Sequence, residues 1–313
     1  MRFVLAATAE FRFCAISTLA IGRLRCLLPL VLLSAFLLAV LLIHRQLTEL
    51  VARGELLTGQ HRLCVVVPFR DRFPELLQFV PHMQRFLAAQ RLDFRIVVVS
   101  QVDELRFNRG SLINAGALEA DSAGCDYLCM HDVDLLPLNE QLSYGWPGEG
   151  RAFHVASAQY HPRYNYTRFL GAILVIGLDD FRRADGFSNK YWGWGLEDDE
   201  FALRLRSAQI AVDRPTRLST DKNSTFRHNH SKTLRRRDTR RIGDQLRQSK
   251  KRDRVSGLST LRHRVLNRQL FAVDGGAPVS VVEVELQCDR TWTPYCEWPK
   301  PDTKKRKTAA PAS

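Results

Sequence analysis

The sequence predicts an α/β domain with a mostly parallel central sheet, preceded by one N-terminal transmembrane helix. Three observations carry that prediction. Apolar runs at 63–67, 94–99 and 126–130 alternate with helix-patterned stretches at 75–90 and 109–120, and strand, helix, strand, helix, strand is the order of a parallel sheet with crossover helices. The third run passes straight into His131-Asp132-Val133-Asp134, and such sheets bind ligands beyond the carboxyl ends of their strands. Near the start, residues 26–43 run for 18 positions without a charge, against the ~20 apolar residues that a bilayer core requires.

Arg2, Arg12, Arg23 and Arg25 precede the uncharged run, with Glu10 the one acid among them. Cytoplasmic flanks collect Lys and Arg. Residues 1–25 are therefore expected as a cytoplasmic tail, 26–43 as a signal anchor and the rest as lumenal, a single-pass type II arrangement. A cleaved signal peptide is the competing reading, but the run is long for one and no small-x-small cleavage site follows it. Residues 44–60 read as a short polar stem and 61–300 as the folded domain. Residues 301–313, with Lys304, Lys305, Arg306 and Lys307, read as a disordered basic tail. The 313-residue chain has a net charge of +13, which by itself suits nucleic acid, a membrane surface or an acidic partner. Lumenal placement removes nucleic acid. The sequons at Asn165, Asn223 and Asn229 agree with a lumenal domain.

Within the domain, 63–67 ends at Pro68 and reads as a buried strand. The helix at 75–90 is expected to kink or break at Pro81. Strands follow at 94–99 and 126–130, with a helix at 109–120 between them. Further on, 153–157 and 172–176 are strand candidates. Residues 197–209 read as a helix with Phe201, Leu205 and Ala208 on one face. SVVEVEL at 280–286 is a late strand after the turn signal Asp274-Gly-Gly276. The stretch 232–264 is dense in Lys and Arg, and reads either as a solvated helix face or as a surface that attracts acidic segments. Cys288 and Cys296 flank DRTWTPY and are the best disulfide candidates. Cys64 and Cys125 sit in apolar runs and are expected as buried thiols.

Five motifs carry chemistry. In an extended chain, Asp132 and Asp134 point the same way, so two carboxylates converge at a sheet edge and call for a cation; a plain acidic turn is the alternative. His228-Asn-His230 places two imidazoles on one side of a segment, and two imidazoles with a carboxylate suit Mn²⁺; two surface histidines are the alternative. Trp192-Gly-Trp194-Gly-Leu196 is a candidate lid over a sugar. Glu197-Asp198-Asp199-Glu200 then opens a helix. Capping explains one or two such acids, and one of four is free to take a proton from a hydroxyl. The dipole of that helix favours the ionised form. Pro68-Phe69-Arg70-Asp71-Arg72 offers two guanidiniums to a phosphate, and Phe107-Asn-Arg109 an aromatic beside an Arg.

The ordered set of Val67-Pro-Phe-Arg-Asp-Arg72, Phe107-Asn-Arg-Gly110, Leu112-Ile-Asn114, His131-Asp-Val-Asp134 and 189–200 resembles the β-1,4-galactosyltransferase family over about 61–300. The resemblance implies a GT-A fold, Mn²⁺, UDP-galactose and an inverting displacement. It implies Asp134, His228 and His230 as metal ligands, with Asp132 and Val133 contacting the nucleotide sugar. Pro68, Phe69, Arg70, Arg72, Phe107 and Arg109 would hold the UDP. Trp194 would be the lid ring, Glu197 would bind galactose hydroxyls, and Asp198 would be the general base on the acceptor 4-hydroxyl. FRHNH, the segment 288–296 and the short stem are similar to the branch that adds galactose to xylose in the proteoglycan linker. That branch implies a xylosylated core protein as partner and a Golgi membrane location. Leu170, Ala172 and Leu196 depart from the family pattern. They leave open a different donor or acceptor, such as UDP-N-acetylgalactosamine or a GlcNAc acceptor, or a non-catalytic sugar-binding relative.

Overall fold

The computed structural model describes residues 36–42, 45, 61–231, 233–271 and 276–298. The chain divides into two compact units, 1–58 and 59–313. In the first, 36–42 are helical, and their apolar side chains, Phe36 and Leu41 among them, are exposed. The rest of the expected tail, anchor and stem lies outside the described residues, as does 301–313. No helix among the described residues is long and apolar enough to cross a membrane.

In the second unit the three apolar runs form β1 (Arg62–Phe69), β2 (Asp93–Gln101) and β3 (Tyr127–His131), linked by α1 (Phe73–Ala89) and α2 (Arg109–Ser122). There follow β4 (Leu135–Pro137), β5 (Arg151–Phe153), β6 (Ile173–Gly177), α3 (Leu178–Arg183), α4 (Glu197–Ser207), β7 (Ala211–Asp213), β8 (Phe226–His228), α5 (Ile242–Gln248), β9 (His263–Phe271) and β10 (Val279–Leu286). Eight strands make one sheet in the order β7-β5-β6-β3-β1-β2-β10-β9, and β4 pairs with β8 in a separate ribbon. The centre, β3-β1-β2-β10, is parallel, but β6 is antiparallel to β3 and β9 to β10. The sheet is therefore mixed, although most of its strands, β5 and β7 included, run in the direction of β1. β5 runs in the direction of β3, so the chain leaves β5 at the carboxyl edge and β6 runs back from there. β9 and β10 follow one another as an antiparallel pair.

Alternate residues of the central strands feed two cores. Cys64, Val66, Val97, Val99, Leu128 and Met130 pack with Leu112, Ala115 and Ala120 of α2. Leu63, Val65, Val67, Ile96, Val98 and Cys129 pack with Phe79, Met83 and Leu87 of α1. Helices on both faces explain why these strands read as continuous apolar runs. Helix α1 runs through Pro81, so the proline does not break it. The residue four back, Leu77, is exposed, so water can reach the carbonyl that the proline leaves without a donor. Of the expected strand at 153–157, only its first residue is in a strand. His154, Val155, Ala156 and Ser157 leave the sheet but stay buried.

The structure corrects one reading of the cysteines. Cys64 of β1 and Cys125, just ahead of β3, form a disulfide with Cα atoms 5.9 Å apart. β3 pairs with β1, and Cys125 stands in the connection from α2 into β3, so strands distant in sequence bring the two thiols together, which no local pattern reveals. Cys288 and Cys296 are bonded as expected, and Cys129 is a buried free thiol. The first bridge spans 61 residues, a loop whose closure is worth about 4 kcal/mol by chain entropy. A Cys64→Ala, Cys125→Ala double variant is expected to lose about 2–4 kcal/mol, read from denaturant unfolding against the wild type.

Candidate active site

Every expected site residue except Phe69 lines one cavity of about 830 Å³ at the carboxyl edge of the sheet. Phe69 packs against the core on the α1 side instead. The segment after β3 is not extended. Residues 133–134 turn, with Leu135 N–H donating to Asp132 O at 3.4 Å. The two carboxylates therefore do not simply point together. Asp132 accepts from Arg109 Nε at 2.8 Å, whereas Asp134 faces the histidines. Burial pushes the Asp132 pKa up, and the Arg109 guanidinium opposes it.

The β4–β8 ribbon sets Leu135 opposite His228, and Asn229 N–H donates to Asp134 O at 2.7 Å. Residues nearly a hundred apart in sequence are thereby locked side by side. His230 Nδ1 lies 3.2 Å and His228 Nε2 4.0 Å from Asp134 Oδ2, and the two rings stack with centroids 5.6 Å apart. Ligand atoms of the three residues all fall within 4.8 Å of one another. Burial lowers both histidine pKa values, so the rings present lone pairs. One carboxylate and two neutral imidazoles fit Mn²⁺.

Arg72 Nη1 donates to Asp134 at 3.4 Å and to Glu75 at 3.3 Å, and Glu75 in turn accepts Arg235 at 2.7 and 2.8 Å. A chain of charges thus ties the start of α1 to the segment after the histidines. Arg70 donates to the carbonyls of Gln101, Leu105 and Asp103 and to the Asp103 carboxylate. It clasps the loop that leads to Phe107.

The four acids at the start of α4 divide their tasks. Glu200 is ion-paired with Arg204 at 2.8 Å and accepts Asp253 N–H. Asp199 is hydrogen-bonded to Tyr166. Glu197 meets Arg109 Nη1 at 3.4 Å. Among the described residues Asp198 has no charged partner at such range, and it rests on Gly171, where a Cβ would stand 2.6 Å from its Oδ2 and 2.8 Å from the Phe169 ring. Burial raises the pKa of Glu197 and of Asp198, reinforced by Asp198 and by Asp199 respectively and opposed by Arg109. Desolvation thus outweighs the helix terminus, whose dipole favours the ionised form. Gly193, at φ +94, has Arg106 and Asp238 where a Cβ would go. Trp194 N–H donates to Asp238 O at 2.8 Å and Arg237 lies 4.5 Å over the Trp194 ring. Sequence reasoning missed Tyr164, Tyr166, His161 and Arg237 as cavity residues. The aromatic density of 160–169 was the available signal.

Known proteins resemble this chain in sequence and fold. A family model described as "N-terminal region of glycosyl transferase group 7" matches residues 51–146, and one described as "N-terminal domain of galactosyltransferase" matches 151–230. The xylosylprotein 4-β-galactosyltransferase of Caenorhabditis elegans is 48% identical over 80% of this chain and 87% of its own. This chain belongs to the β-1,4-galactosyltransferase family. The human β-1,4-galactosyltransferase 7 is 49% identical, over 76% of this chain and 72% of the relative. A crystal structure of a mutant Drosophila β-1,4-galactosyltransferase 7, in complex with manganese, UDP-Gal and xylobiose, matches with a TM-score of 0.73 at 45% identity, over 76% of this chain and all of that one. The fold is of the GT-A type with a mixed sheet.

One departure from the family pattern has a conformational cost. Ala172 holds φ +67 while its carbonyl accepts Asp132 N–H at 3.0 Å. A left-handed alanine costs about 1 kcal/mol relative to glycine. Ala172→Gly is expected to raise stability by about that much, read as a higher denaturation midpoint at unchanged slope.

Proposed function

We propose that this chain transfers galactose, with inversion, from UDP-galactose to the 4-hydroxyl of a protein-linked xylose. It would do so as a single-pass type II Golgi membrane protein held by residues 26–43. The observation that carries the reading is the meeting, in one cavity, of the Asp134–His228–His230 set with the buried carboxylate of Asp198. The ligands named with the Drosophila relative, and the name of the nematode one, support the choice of sugars.

Asp198 is the base. Burial makes its carboxylate more proton-seeking than a free aspartate, which suits removal of a proton from an attacking hydroxyl. Glu197, steadied by Arg109, takes galactose hydroxyls. Arg109 Nη2 is buried without a partner and is the donor left for a phosphate, with Arg72 and the backbone of Asp132 and Val133 beside it. Arg70 holds the loop that carries Phe107, and Pro68 and Phe107 flank the base of the nucleotide. Trp194 covers the sugars and excludes water. Bound Mn²⁺ would supply positive charge to the departing diphosphate.

The test is direct. Purified protein with UDP-galactose, Mn²⁺ and a β-xyloside is expected to yield a β-1,4-galactosylated xyloside. Transfer to GlcNAc acceptors but none to xylosides would sink the acceptor assignment. No transfer from UDP-galactose to any acceptor would sink the donor.

A further inference from the structure

We infer that the surface built by residues 234–246 at the cavity mouth, between Trp194 and Trp298, binds an acidic stretch of the polypeptide that carries the acceptor xylose. The inference rests on the reading of the acceptor as protein-linked xylose. A sugar that reaches Asp198 while attached to a polypeptide leaves that polypeptide at the mouth of the cavity.

The mouth is apolar and cationic at once. Leu234, Leu246 and Trp298 are 80%, 51% and 46% exposed, and all three line the cavity. Clustered exposed apolar side chains around a site mark a contact surface. Arg237 and Arg240 spread over Trp194 and Trp298 at 4.5 and 5.1 Å. Among the described residues, neither they nor the exposed Arg236 forms an ion pair within 4 Å. Their neighbours differ: Arg235 is taken by Glu75, and Arg241 and Arg247 by Asp244. The nearest acid, Asp238, is spent on Arg106 at 2.6 Å. Arg235, Arg241 and Arg247 are thus neutralised locally, whereas Arg236, Arg237 and Arg240 keep their charge free for a partner. The complement is a chain segment with carboxylates to meet Arg236 and Arg240 and apolar groups to lie on Leu246 and Trp298.

Three acceptors separate the possibilities: a small β-xyloside, a xylosylated peptide with Asp and Glu around the modified residue, and the same peptide with Asn and Gln instead. With the wild type, the acidic peptide is expected to show a KM about 5- to 10-fold below that of the neutral one at similar kcat. The advantage should shrink as salt is raised. In an Arg236→Ala, Arg240→Ala variant it should vanish, while turnover of the small xyloside stays within about two-fold. Equal KM values for the two peptides overturn the inference. So does an advantage that survives in the double variant, since the acids are then read elsewhere. Failure of the acceptor reading itself looks different: the small xyloside is then not turned over at all.

Discussion

Asp198→Asn is expected to leave the protein folded and able to bind cation and UDP, yet slow galactosyl transfer by about 10²–10⁴-fold. The substitution keeps the side-chain volume, which matters because Asp198 rests directly on Gly171. It removes the one property the reaction needs there, a carboxylate able to accept the acceptor's proton. Stability moves the other way. Asp198 is buried among Glu197 and Asp199, and burial first and like charges second raise the pKa values of all three, so the fold bears a cost at this proposed site. Deleting one charge eases it. The expected signature is therefore a fall in kcat beside an unchanged or higher melting temperature. Turnover near the wild-type level would remove Asp198 from the mechanism.

The same residue sets a pH dependence. As the proposed base, Asp198 must be ionised for transfer, and its pKa is raised by burial first and by Asp199 second. The acid limb of kcat should thus lie well above the ordinary aspartate value near ~4. For stability, a carboxylate whose folded pKa exceeds its unfolded value binds its proton more tightly when folded. Its contribution is present in full below the unfolded pKa and is lost as pH rises through the folded one. The gain in stability from Asp198→Asn should accordingly be largest near neutral pH and fade on acidification. Melting curves of the two proteins across that range measure it.

Some of this was legible before any coordinates. β1, β2 and β3 stand out because burial on both faces makes each an uninterrupted apolar run, and the acids after β3 stand out because a strand ends into them. The flanks of the sheet do not. β9 reads HRVLNRQLF and is mostly exposed along its length, so its charges merge with the basic stretch before it. The proposed metal set was read as two separate motifs, but what joins them is the β4–β8 pairing, a contact of three residues on each strand with no local signature. The Cys64–Cys125 bond was missed for the same reason, since it depends on β1 lying beside β3. Local geometry also overrode one periodicity argument: the turn at 133–134 sends Asp132 to Arg109 and Asp134 to the histidines, which an extended pattern would not do. The basic stretch resolved into individual tasks only once Arg235 could be seen on Glu75 and Arg237 on Trp194.

Asp134→Asn is expected to weaken Mn²⁺ binding by about 10²-fold or more, and to abolish transfer at cation concentrations that saturate the wild type. Asp134 is the one anion of the three proposed ligands, and its carboxylate is approached by His228, His230 and Arg72 together. Without that charge, a divalent ion would meet two imidazoles and the Arg72 guanidinium, and the remaining field repels it. The effect of Glu75→Gln should be smaller, about 10-fold, because Glu75 touches no proposed ligand and acts only by holding Arg72 and Arg235. The two variants separate ligation from positioning. Excess Mn²⁺ should rescue Glu75→Gln and fail to rescue Asp134→Asn, with binding followed by the electron paramagnetic resonance signal of free Mn²⁺ and folding by melting temperature. Wild-type Mn²⁺ affinity in a folded Asp134→Asn protein would place the cation elsewhere, and the pairing of β4 with β8 would then have no catalytic purpose.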